Sequence, residues 1–148
     1  MIEGVEITPL KQIDDERGKV MHMLRRDSPF FKGFGEIYFS CINPGAVKGW
    51  NRHRQMVLNL AVLHGCVKFV LYDGRDKSET YGKVMEILMG PACNYSLLTV
   101  PPMIWCGFKG KAAEPSIIAN CSSMPHEPSE IERRNPFDAS IPYQWGKD

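Results

Sequence analysis

The residues from Val47 to Gln55 hold the densest chemistry in the chain, Val-Lys-Gly-Trp-Asn-Arg-His-Arg-Gln. Lys48, Arg52 and Arg54 stand beside Trp50, Asn51 and His53. Cations next to an aromatic ring and a titratable imidazole can hold an anionic ligand and move a proton. The same residues also read as the solvated basic edge of a sheet, the commoner fate of a charge run. His53 follows Asn51 by two positions, so on a strand the two share a face. A second group surrounds Cys106 in Val100-Pro-Pro-Met-Ile-Trp-Cys-Gly-Phe108. A third is His126, between two prolines in Met124-Pro-His-Glu-Pro128. It reads equally as a proton carrier and as part of a rigid cover.

These groups need a scaffold, and the sequence describes a β one. The 13 Gly and 11 Pro separate short runs rich in Val, Ile, Leu, Phe and Tyr, the pattern of strands joined by turns. Strands are expected at 5–10, 19–24, 34–42, 57–63, 66–72, 82–89, 95–100, 105–108 and 116–121. Asp14 to Gly18 reads as a polar turn, and Ser129 to Glu132 as one helical turn. The runs 57–63 and 66–72, separated by His64-Gly65, read as a hairpin. About ten short strands at this spacing predict an all-β sandwich or barrel. The whole span 1–148 reads as one domain whose apolar end, Ile141-Pro-Tyr-Gln-Trp145, docks on the body.

Composition narrows the function. A hydrophobic content of 43%, 24% charged residues and a net charge of +1 are those of an ordinary globular chain. That balance argues against nucleic acid or an acidic membrane as a bulk partner. No apolar run reaches bilayer length, and Met1 to Leu10 has no signal-peptide pattern, so a cytoplasmic location is expected. The five cysteines form no C-x-x-C pair, and His53 has no second histidine two residues away, so no metal is expected.

Several stretches together resemble the dTDP-4-dehydrorhamnose 3,5-epimerase family. Asp15-Glu-Arg-Gly18 is similar to its "D-x-R-G", and Val47-Lys-Gly-Trp-Asn51 to its "L-R-G-L-H". His64 to Arg75 resembles "G-x-V-x-D-V-x-V-D-x-R", and Ser78 to Gly82 resembles "S-P-T-F-G". Val100 to Phe108 resembles "I-P-x-G-F-A-H-G-F", and Ile141 to Trp145 the closing "I-x-W-P". The resemblance implies a cupin double-stranded β-helix (jelly roll) and a homodimer whose N-terminal strands reach across to the partner. It also implies a nucleotide-linked, dTDP-type 4-keto-6-deoxy sugar as ligand, with no cofactor, in surface polysaccharide synthesis.

The family removes a proton beside the ketone and returns one to the other face. Its base, second histidine and acidic tyrosine map onto Asn51, Cys106 and Met124, which cannot repeat those roles unchanged. His53 is therefore the expected base, with His126 or Cys106 as acid. Arg17 and Lys48 map onto residues that grip the diphosphate. Trp50, Asn51, Arg52 and Trp105 are expected around the ligand, and Tyr38, Tyr72 and Asn120 can face the interior. The alternative is a cupin that binds the sugar nucleotide without catalysis.

Overall fold

Alternation of apolar and polar residues builds two facing sheets in the computed structural model, which describes residues 1–146. The last two residues of the 1–148 span lie outside the described residues. The strands in chain order are β1 (Glu6–Pro9), β2 (Gln12–Asp15), β3 (Gly18–Met21), β4 (Glu36–Ile42), β5 (Val47–His53) and β6 (Leu58–His64). They continue as β7 (Val67–Asp73), β8 (Val84–Met89), β9 (Ser96–Val100), β10 (Ile104–Gly110), β11 (Ser116–Ser122) and β12 (Ile131–Arg133). One sheet runs β1-β9-β6-β11-β4 and the other β12-β5-β10-β7-β8, with β2 and β3 forming a separate ribbon. All strand ladders are antiparallel. This is the all-β cupin jelly roll. No helix among the described residues is long and apolar enough to cross a membrane.

The runs 57–63 and 66–72 are both strands, but they are not a hairpin. Both edges of β6 are taken by β9 and β11, and both edges of β7 by β8 and β10. The Gly65 turn instead carries the chain from one sheet to the other. Ser116 holds it there, its hydroxyl accepting from the Cys66 N–H at 3.0 Å and donating to the Cys66 carbonyl at 3.1 Å. The helical turn is a single 3₁₀ turn, Pro128–Glu130, capped by Glu127, after which Ile131 and Glu132 already belong to β12.

Two apolar layers result. Leu58, Leu60, Val62, Phe69, Leu71, Leu98, Ile104 and Ile118 fill the space between the sheets. On the outer face of the second sheet, Trp50, Val70 and Trp105 are covered by Ile141 and Trp145. The rings of Trp50 and Trp145 lie 5.2 Å apart, and both indole N–H groups donate to the Pro136 carbonyl. The end of the chain thus becomes a third layer over the sheet that carries the Val47–His53 motif.

Candidate functional site

Between the sheets, at one end of the barrel, lies a cavity of about 330 Å³, the size of a small-ligand site. One wall is β5 and β10, contributing Lys48, Asn51, His53, Ile104, Cys106 and Phe108. The facing wall is β4, β6 and β11, contributing Tyr38, Ser40, Leu58, Leu60 and Asn120. His126, Ile131 and Arg133 close one side.

Strand geometry explains who points inward. Asn51 and His53 alternate with Trp50 and Arg52, so the first pair faces the cavity and the second the outer layer. Lys48 joins the inward set because of a bulge: Cys106 pairs with Asn51, but Phe108 pairs with Lys48, so Gly49 and Trp50 together face Gly107. Gly49 has φ +150, and a Cβ there would sit 2.8 Å from the Gly107 Cα, so the bulge requires glycine. The loop that carries His126 is fixed to the same end. The Val57 N–H donates to the Ser123 hydroxyl at 2.9 Å, and Gly35 packs directly on the Met124 backbone.

Three of the residues expected around the ligand are therefore placed elsewhere. Trp50 is fully buried in the outer layer (0% exposed) and Trp105 lies beside it. Arg52 stacks on the Trp105 ring at 4.6 Å and pairs with Glu132. Arg134 stacks on the same ring at 4.5 Å. Tyr72 also packs against this layer. Arg17 sits at the tip of the β2–β3 ribbon, its side chain 82% exposed and paired with Asp15 at 2.7 Å, outside the cavity of its own chain. Lys48, Asn51, His53, Cys106 and His126 do converge on one cavity.

His53 is only 9% exposed, and its Nδ1 is buried with no hydrogen-bond partner among the described residues. Burial lowers its pKa, since a charged imidazolium is poorly solvated there. Glu130 opposes this, while Arg133 and His126 push the same way as burial. The Glu130 carboxylate is committed elsewhere, accepting from the Gln55 and Met56 N–H groups at 3.0 Å each. The balance is a neutral imidazole at neutral pH, which is the form a base needs.

Cys106 is the opposite case. Burial pushes its thiol up to about 12, so it stays protonated and resists becoming a thiolate. It also sits on the same wall as His53.

Arg133 was not legible in the sequence as a site residue. It reaches the cavity because β12 pairs with β5, setting Arg133 opposite Asn51. With it, the described residues that line the cavity include two cations, Lys48 and Arg133, two histidines and no carboxylate. Such a lining favours an anion. Among the described residues no three His, Cys, Asp or Glu side chains cluster so as to hold a metal ion.

No family model matches the sequence. A crystal structure of a dTDP sugar isomerase from Desulfovibrio desulfuricans G20 is 46% identical, with a TM-score of 0.95, over 97% of this chain and 92% of that one. A probable low-salt glycan biosynthesis epimerase, Agl13 from Haloferax volcanii, is 30% identical over 144 residues, 96% of this chain and 88% of its own. The chain belongs to the dTDP-4-dehydrorhamnose 3,5-epimerase-like family of cupins. The dTDP-4-dehydrorhamnose 3,5-epimerase of Elizabethkingia anophelis NUHP1 shares the fold at 19% identity and TM-score 0.81, over 97% of this chain and 82% of that one. Of the three positions that the resemblance to these epimerases marked, Asn51 and Cys106 line the cavity here. Met124 packs against the core cluster between the sheets.

Proposed function

We propose that this protein is a sugar-nucleotide epimerase or isomerase of polysaccharide synthesis, acting on a dTDP-linked 4-keto-6-deoxy sugar. His53 is the base. It takes a proton from the carbon beside the ketone, the C–H electron pair becomes an enolate, and a proton returned to carbon completes the reaction. The observation that carries this reading is a buried, neutral histidine in a cavity whose described lining has two cations and no carboxylate. The isomerase and epimerase relatives support the same reaction class. The experiment is solvent exchange: in D2O with dTDP-4-keto-6-deoxyglucose, the sugar's C3 or C5 proton signal should disappear by NMR. Nucleotide binding without any exchange would instead mark a cupin that binds and does not catalyse.

The base assignment fixes a pH dependence. His53 must be unprotonated, and its pKa is lowered, so kcat/KM should hold through neutral pH. It should fall only at an inflection below the ordinary histidine value of about 6.5. An acid limb at or above 6.5 in the pH–rate profile would remove His53 as the base.

Lys48 and Arg133 take the diphosphate. Lys48 now donates to the Cys41 carbonyl at 3.0 Å, a bond it can exchange for a phosphate oxygen. Charge-assisted contacts are worth about 1.5–3 kcal/mol, so Lys48→Ala and Arg133→Ala should each weaken dTDP binding roughly 10- to 100-fold by calorimetric titration. Arg17 belongs to the same set through a homodimer, in which the β2–β3 ribbon delivers it to the partner's cavity. The exposed Ile13 and Val20 on that ribbon suit such a contact. Arg17→Ala should then weaken dTDP binding as the other two do, with light scattering reporting a dimer. A monomer that binds dTDP normally would exclude Arg17.

A further inference from the structure

Inversion at carbon needs the proton to leave by one face of the enolate and return by the other. A base and an acid on one wall cannot do that to a ring lying between two walls. His53 is on the β5–β10 wall, and so is Cys106, whose strand pairs Cys106 directly with Asn51. The facing wall carries Tyr38, Ser40 and Asn120 as its polar groups. Tyr38 and Asn120 are cross-strand partners in the β4–β11 ladder, so they share the inward face. Of these three, the phenol is the strongest acid.

We propose that Tyr38 is the acid that returns the proton to the face opposite His53, an assignment that rests on His53 being the base. The balance is simple. His53 receives the C–H proton on its imidazole. The Tyr38 O–H bond then breaks as the new C–H bond forms on the other face. The phenolate and the imidazolium exchange with solvent at the open end.

Three features suit Tyr38 to this. Its hydroxyl makes no hydrogen bond to another described residue, so it is not committed to the fold. Its backbone is fixed in β4, where its carbonyl accepts from the Asn120 side chain at 3.3 Å. Burial, then Glu36 and Cys106, raise its pKa, with Arg133 opposing, so the phenol holds its proton at neutral pH, where His53 is an imidazole. The other candidate acid on the lining, His126, belongs to no strand of either wall. It rides the loop between the two sheets and is not committed to the wall opposite His53.

The test is Tyr38→Phe, which removes one oxygen from a partly exposed ring and leaves the wall in place. Wild type and variant are incubated in D2O with dTDP-4-keto-6-deoxyglucose, and two quantities are followed by NMR: deuterium entry at the carbon, and appearance of the inverted sugar. We expect wild type to do both. In Tyr38→Phe we expect inversion to fall by at least about 100-fold. Deuterium should still enter with retention, because the His53 step survives, and dTDP affinity should stay within a few-fold. Inversion at near wild-type rate in Tyr38→Phe overturns the assignment and leaves His53 standing, as does wild-type exchange without inversion. Loss of inversion in His126→Ala with Tyr38→Phe unaffected gives the role to His126. No exchange by wild type overturns the base reading and the Tyr38 assignment together.

Discussion

His53→Ala is expected to lower turnover of a dTDP-4-keto-6-deoxy sugar by about 10³- to 10⁴-fold, the upper part of the range for removing a general base. Deuterium entry at the sugar carbon should fall with it, because no other wall group combines a neutral basic nitrogen with burial. Asn51 has no basic site near neutral pH. Cys106 keeps its proton, with its thiol at about 12. Binding of dTDP should change little, since the phosphate cations Lys48 and Arg133 project from other positions of the lining. The measurement is the ratio of exchange rate to nucleotide affinity in the two proteins. A variant that exchanges at the wild-type rate has another base. One that loses exchange and dTDP binding together has lost the cavity rather than the proton acceptor. Protonated His53 in the wild type would mimic the variant, so the two should converge at acid pH.

Much of this site could be read from strand alternation, and the parts that were missed show where alternation stops being informative. Asn51 and His53, two apart, do share a face, and that face is the cavity. The same rule excludes Trp50 and Arg52 from it, since consecutive residues of a strand cannot all point one way. The ring and charge types of Trp50 and Arg52 suggested a ligand, but they serve the outer layer under Trp145 and Glu132. Tyr38 was ambiguous because one strand's alternation does not say which of its faces is inside. That is decided by the second sheet, which local sequence does not describe. Arg133 was out of reach for a different reason. Its strand is three residues long, lies in a Pro- and Arg-rich stretch, and is defined by pairing with β5, where Glu132 meets Arg52 from 80 residues away. The hairpin expected of 57–63 and 66–72 fails for the same reason. A glycine turn between two apolar runs looks alike whether the chain folds back on itself or crosses between sheets. The choice depends on strands β9 and β11, which are later in the chain.

Asp73→Ala is expected to destabilise the fold by about 3–5 kcal/mol, the cost of removing one partner of a buried ion pair. In a domain of ordinary stability that corresponds to a melting temperature about 10–15 °C lower. Asp73 ends β7 and is fully buried. One carboxylate oxygen accepts from the Arg75 N–H at 3.1 Å and from Arg75 Nε at 2.8 Å. The other accepts from Arg75 Nη2 at 2.8 Å and from the Ser78 and Thr80 hydroxyls at 2.6 Å each. Arg75 in turn donates to the Glu3 carbonyl at 2.8 Å, so the same carboxylate ties the 73–80 loop to the start of the chain. Alanine removes the carboxylate from a three-quarters buried guanidinium and from the Ser78 and Thr80 hydroxyls, leaving Arg75 only the Glu3 carbonyl and the Ser78 hydroxyl, and Ser78 the Glu3 carboxylate. Burial alone would raise the Asp73 pKa, yet the bonds from Arg75, Ser78 and Thr80 outweigh it and hold the group well below the usual carboxylate range. The sign of the pH effect follows. Stabilisation is complete above the unfolded aspartate value of about 3.9 and is lost as pH falls toward the lower folded value. The gap between wild type and Asp73→Asn in thermal melts should therefore be flat from about pH 5 to 8 and narrow below about pH 4. A gap that stays constant to pH 3, or an Asp73→Ala protein that melts with the wild type, would show that the loop holds without this carboxylate. Activity measured on the same samples separates the roles: Asp73 does not line the cavity, so below the variant's melting temperature the exchange rate should match wild type.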